Sequence, residues 1–189
     1  MSIPSQASPV KLIFSIFSSS GTMISDSVRR LSSIYGEPDF VSAQIPFEYT
    51  DYYKREMGAK LVRRFLSMEK LIRPETLPDI KLVTNAIEEE SARENHRVVN
   101  IDPGYLSQAH LILATGKGYT HRPYLRDGIY ADLTLIYQGK KFCPLPWTYP
   151  DYADEKQTAM LSAIRGRYLL QLKADQPNIG SKPKGFGHD

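Results

Sequence analysis

The sequence predicts an α+β fold: a ferredoxin-like βαββαβ core extended by an antiparallel β-meander and a C-terminal helix. Three observations carry this expectation. The first hundred residues alternate short Ile/Val/Phe-rich runs with amphipathic stretches in the order strand, helix, strand, strand, helix, strand, the split βαβ arrangement. Residues 119–143 then alternate apolar and polar side chains around Asp127-Gly128 and Gln138-Gly139, two hairpin signals. Residues 153–173 return to helical spacing through Met160, Leu161, Ile164 and Tyr168. At 189 residues the chain is long enough for one well-buried core and short for two. A flexible segment over 1–10, one domain over 11–173 and a flexible Gly/Pro-rich tail over 174–189 follow.

KLIFSIFS (11–18) is short, apolar and rich in Ile and Phe, as a buried strand is. Ile24, Val28, Leu31 and Tyr35 recur at helical spacing up to Gly36, a C-cap residue. DFVSAQIPFE (39–48) reads as a strand ended near Pro46. KLVRRFLSMEKLI (60–72) fits strand and helix; its two mixed faces favour a strand, and a helix there would give a doubly wound sheet instead. Thr76 is placed to cap a helix to about residue 92, with Leu77, Ile80, Val83 and Ile87 inward. RVVNI (97–101) is a strand that the Asp102-Pro103-Gly104 turn stops. QAHLILAT (108–115) reads as a short helix capped by Ser107, with a strand as the alternative.

Composition narrows the function classes. A net charge of +3 resembles neither a nucleic-acid-coating nor a polybasic membrane protein. The single cysteine, Cys143, excludes an intrachain disulfide and a cysteine zinc site, and suits a reducing cytoplasm. The N-terminus lacks a basic region followed by an apolar one, and LIFSIF is too short to span a bilayer, so no membrane partner is expected. Twelve tyrosines suit both cores and ligand clefts. Phosphate-loop and dinucleotide fingerprints fail: ATGKG puts Gly118 after Lys117 with no glycine at the required upstream position, and no GxGxxG occurs. The zinc signatures HExxH and HxE…PCxxC and the esterase elbow GxSxG are absent.

Two constellations stand out. With Asp127-Gly128 as a two-residue turn, Arg126 pairs with Ile129, Tyr124 with Ala131 and Arg122 with Leu133. Alternation then puts His121, Tyr130, Asp132 and Thr134 on one face, and Arg122, Tyr124, Ile129, Leu133 and Leu135 on the other. His121 and Asp132 would be diagonal neighbours, and a histidine–carboxylate pair suits acid–base work. The alternative is a solvated hairpin face. PFEYTDYYKREMG (46–58) gathers Glu48, Asp51, Tyr52 and Tyr53 in a loop at the sheet edge, where carboxylates and rings suit a ligand; a Tyr-rich loop folded on the core is the alternative. Lys81, Thr84, Asn85 and Glu88 read as a solvated helix face, Asp102 as a turn residue or a site carboxylate, and PWTYPDY (146–152) as packing under the last helix, with a pocket cover as the alternative.

PFEYTDYYKREMG, IKLVTN, RVVNIDPGYL, LATGKGYTHRPYL, GIYADLTL and PWTYPDY together resemble an uncharacterised bacterial domain-of-unknown-function family, DUF4416, over about residues 10–170. Some of its members are labelled GTP-binding. Glu48 stands where Asp is common in that family, Asp132 where Glu is common and Pro123 where a branched apolar residue is usual; both acid exchanges keep a carboxylate. The resemblance implies a shared fold and polar cluster, and no reaction.

The residues and the resemblance lead to one expectation: a small-molecule site for an anionic or nucleotide-like ligand between the 46–58 loop and the His121/Asp132 face. His121 and Asp132 are its catalytic candidates. Glu48, Asp51, Tyr52, Tyr53, Asp102, Lys117, Arg122 and Tyr130 are its ligand contacts, Lys117 and Arg122 attracting the anion. No metal is assigned, the cofactor is unknown, and whether the protein is an enzyme and how it oligomerises stay open. An RNA-binding module drawing on Arg63, Arg64, Arg122 and Arg126, or a non-catalytic assembly protein, is the alternative.

Overall fold

A computed structural model describes residues 3–47, 54–58, 60–94 and 96–174. Nine strands form one antiparallel sheet: β1 (Val10–Ser18), β2 (Pro38–Val41), β3 (Ile45–Phe47), β4 (Leu61–Ile72), β5 (Asn100–Leu106), β6 (His110–Thr115), β7 (Tyr124–Arg126), β8 (Ile129–Gln138) and β9 (Lys141–Pro144). The order across it is β2-β4-β1-β5-β6-β8-β7, with β3 also on β4 and β9 also on β8. The helices are α1 (Gly21–Tyr35), α2 (Lys54–Met57), α3 (Leu77–Ser91), α4 (Pro150–Ala153) and α5 (Glu155–Ala174). Among the described residues no helix is long and apolar enough to cross a membrane.

Every residue of β1 is buried, as the centre of a sheet covered on both sides requires. Leu12, Phe14 and Ile16 face α1 and α3, meeting Ile24, Leu31, Ile80 and Ile87. Ile13 faces α5 with Phe65, Leu111 and Leu135, against Leu161, Ile164 and Tyr168. Lys11, the one charge in this strand, is fully buried and donates to Asp39 Oδ2 at 2.6 Å, the pairing a buried ammonium needs.

Several sequence expectations are corrected. The 39–48 strand is two short edge strands, because Ser42 turns inward and accepts the Phe65 amide through its hydroxyl at 2.9 Å. Thr76 stands at the N-cap of α3 as expected, but its hydroxyl makes no capping bond and donates instead to the Arg73 carbonyl within a 3₁₀ turn. QAHLILAT is strand β6, paired to both β5 and β8. The second hairpin turn is Gly139-Lys140, both at positive φ, with Gln138 opposite Lys141. The last helix begins at Glu155 rather than 153, and a separate short helix, α4, precedes it across Asp154. The tail beyond 174 lies outside the described residues.

Asp102-Pro103-Gly104 is no stop. It lies inside β5, still paired to β1 through Ser15 opposite Asp102 and Ile13 opposite Gly104. On its other edge β5 pairs with β6 only over Gly104–Leu106. Pro103 has no amide to give that ladder. A Cβ at Gly104 would stand 2.5 Å from the Ile112 carbonyl, so only glycine lets the two strands meet there. Upstream of this point β5 and β6 part, and the sheet forks.

Candidate functional site

The fork is lined with charge, and its first task is to satisfy an opened edge. Ile101 carries an amide and a carbonyl that would have paired with β6. Glu88 Oε1 accepts that amide at 2.7 Å, and Lys81 Nζ donates to that carbonyl at 3.2 Å. Seven residues apart, these two side chains project from the same face of α3, and both are buried. The helix face expected to be solvated is therefore a plug for the sheet. Burial pushes the Glu88 carboxyl up from 4.5 to about 6 against the pull of Lys81.

A cavity of about 700 Å³ occupies the fork. Its wall on the β5 side carries Asn100 and Asp102; on the β6–β8 side it carries Lys117, Arg122 and Asp132. Asp132 is opposite Leu113 and Asp102 opposite Ser15, so both carboxylates lie on the sheet face that α5 covers. Arg63 closes the far end. It is buried against Asp151, with its guanidinium 4.1 Å from the Phe47 ring centroid and 5.3 Å from that of Tyr152. Arg97 holds Glu56 by two bonds of 2.8 Å, which keeps that carboxyl below its ordinary value, and donates to Asn100 Oδ1 at 3.1 Å.

Two straps frame the mouth. The loop Gly116–Pro123 folds back on itself: Arg122 donates to Asp132 Oδ2 at 2.7 Å, to the Lys117 carbonyl at 3.1 Å and to the Tyr149 hydroxyl at 3.5 Å. The segment Leu145–Tyr152 lies against it, with Trp147 stacked on His121 at 4.8 Å between centroids and 13° between planes. Gly118 packs closely under Tyr130, where a Cβ would stand 3.0 Å from the ring.

The expected hairpin geometry is corrected at the same place. Arg126 faces Ile129, but Tyr124 faces Tyr130, so Leu125 is a bulge and the register slips by one. His121 and Arg122 precede β7 in a turn where strand alternation does not apply, which is why Arg122 reaches the carboxylate it was assigned away from. A second irregularity at Thr134 brings Asp132 and Leu135 to the same face. His121 Nε2 stands 3.8 Å from Asp132 Oδ2, beyond hydrogen-bond distance, and has no bond to another described residue.

Of the expected site residues, the cavity brings together Asp102, Lys117, Arg122 and Asp132; His121 and Tyr130 are not among its lining residues. Glu48, Asp51, Tyr52 and Tyr53 lie outside the described residues. Arg63, Lys81, Glu88, Asn100 and Asp151 were not anticipated. Arg63, in line with the apolar Leu61 and Phe65 on one face of a predicted strand, was the clearest available signal. Among the described residues no group of three or more His, Cys, Asp or Glu is placed to hold a metal ion.

One family model, described as Domain of unknown function (DUF4416), matches residues 8–168, most of the chain. No curated protein and no solved structure matches it.

Proposed function

The chain belongs to the family described as Domain of unknown function (DUF4416), and on that footing we propose that the fork cavity binds a small anionic ligand of nucleotide size. The observation that carries this reading is the cavity itself. Its volume of about 700 Å³ falls in the range of small-molecule sites. Arg63, Lys81, Arg97, Lys117 and Arg122 outnumber Glu88, Asp102, Asp132 and Asp151 around it. Lys81 spends one of its three N–H donors on Ile101 and keeps its neighbouring carboxylates at 3.7 and 3.9 Å, outside hydrogen-bond distance, so it has donors to offer an anion. The strand order β5-β1-β4-β2 supports the ferredoxin-like assignment of the first six elements.

A catalytic role for His121 and Asp132 is the second reading. It is favoured by one observation, the 3.8 Å approach of an otherwise unbonded Nε2 to the carboxylate. The RNA reading loses Arg63, which is buried on Asp151.

Thermal unfolding with inorganic phosphate, nucleotides, sugar phosphates and divalent metals tests the main reading. A ligand at a hundred times its Kd stabilises the native state by about 2.7 kcal/mol. An anion should raise the melting temperature, and Lys117→Ala should diminish the rise. No rise with any of these anions at millimolar concentration sinks the proposal.

A further inference from the structure

The cavity's walls carry four carboxylates, and they differ in what they do. Glu88 accepts a backbone amide, Asp132 is bonded by Arg122, and Asp151 is bonded by Arg63. Asp102 is different. Its side chain is 31% exposed against 8–11% for the other three, and its one ion-pair partner among the described residues is Lys81 at 3.7 Å, too far for a hydrogen bond. No described donor fills its oxygens.

Two residues earlier on the same face of β5 stands Asn100, only 3% exposed. Arg97 holds its Oδ1, which fixes the amide so that Nδ2 is directed away from Arg97, and Nδ2 has no partner among the described residues. A buried unbonded donor beside an unbonded carboxylate is costly unless something completes both. A hydroxyl group does so, since its oxygen accepts from Asn100 while its proton goes to Asp102. A cationic donor would not suit, because the Lys81 ammonium stands beside that carboxylate and repels a second positive charge. One carboxylate has two oxygens and takes two adjacent hydroxyls.

Resting on the anion-binding reading above, we infer that Asp102 and Asn100 form a hydroxyl-reading subsite, and that the ligand is a ribonucleotide presenting its vicinal 2′,3′-diol. The anionic end is met by Lys81 and the basic loop, the diol by β5.

The test is calorimetric binding of the four ribonucleoside 5′-monophosphates and of their 2′,3′-dideoxy counterparts to the full chain, with inorganic phosphate alongside. The ribo form of at least one base should bind about tenfold or more tighter than its dideoxy form. Asp102→Ala should erase that difference while leaving phosphate binding unchanged. Equal binding of ribo and dideoxy forms to the unaltered protein overturns the inference without any variant. So does an equal loss of phosphate and ribonucleotide binding in Asp102→Ala. Phosphate binding without ribonucleotide binding ends this inference and spares the anion-binding reading; binding of neither ends both.

Discussion

Arg122 Nε donates to Asp132 Oδ2 at 2.7 Å, while His121 Nε2 stands 3.8 Å from the same oxygen. The carboxylate is therefore the anchor of an arginine that staples the Gly116–Pro123 loop to β8 and to Tyr149. A double-mutant cycle separates the two relationships. Arg122→Ala and Asp132→Ala should couple by about 1–3 kcal/mol, the range for a charge-assisted bond at a part-buried site. His121→Ala and Asp132→Ala should couple by less than about 0.5 kcal/mol. Urea unfolding of the single and double variants measures both, and the reverse order would restore the histidine–carboxylate pair.

Gly104 fixes where the fork begins. A methyl group there would meet the Ile112 carbonyl at 2.5 Å and Leu113 Cδ2 at 2.6 Å. Backbone cannot yield as a side-chain tip can, so Gly104→Ala should destabilise by about 3 kcal/mol or more. Gly116, whose Cβ would meet nothing within 4 Å, is the control, and Gly116→Ala should change stability little. Comparable melting temperatures for the two variants would mean that β5 and β6 do not cross so closely.

Asp151 is the counter-ion of a buried arginine packed among aromatic rings. Removing it leaves that charge without compensation, so Asp151→Ala should cost about 3–5 kcal/mol. The double variant Arg63→Met/Asp151→Ala should cost less, since it removes both charges and keeps the arginine's bulk. Chemical denaturation of both variants checks the order.

Glu88 gives the fold a pH dependence of definite sign. Its folded carboxyl, pushed up to about 6 by burial, binds more protons than the unfolded one between 4.5 and that value. Its contribution is fully present below the lower value and is lost as pH rises through the upper, a change of about 2 kcal/mol. Glu88→Gln, which can still accept the Ile101 amide, should remove that loss, so that the variant gains on the native protein between pH 4.5 and 7. Glu56 acts in the opposite sense and at lower pH: the bonds from Arg97 hold it below 4.5, and its contribution is lost as pH falls.

Local patterns made much of the fold legible. The apolar run of β1, the spacing of Ile24, Leu31, Ile80 and Ile87, and the Asp127-Gly128 turn each act within a few residues, and each is where the pattern put it. The fork was illegible because it depends on which strands meet. Asp102-Pro103-Gly104 looks like a turn to any local rule, and only the neighbouring β1 keeps it extended. Lys81 and Glu88 look solvated on a helical wheel, because the backbone groups of Ile101 that they satisfy lie in another element. Arg122 was set on the wrong face because it lies in a turn ahead of β7, where alternation along the strand does not reach. Asp102, Lys117, Arg122 and Asp132 do line the cavity, although Asp132 was singled out through a hairpin register that the bulge undoes.

The most direct measurement is an amide chemical-shift titration of the full chain with a ribonucleoside monophosphate. Binding in the fork predicts saturable shifts largest at Asn100–Gly104 and Ala114–Lys117, together with the Arg122 side chain. Shifts centred elsewhere, or none at millimolar ligand, would contradict it.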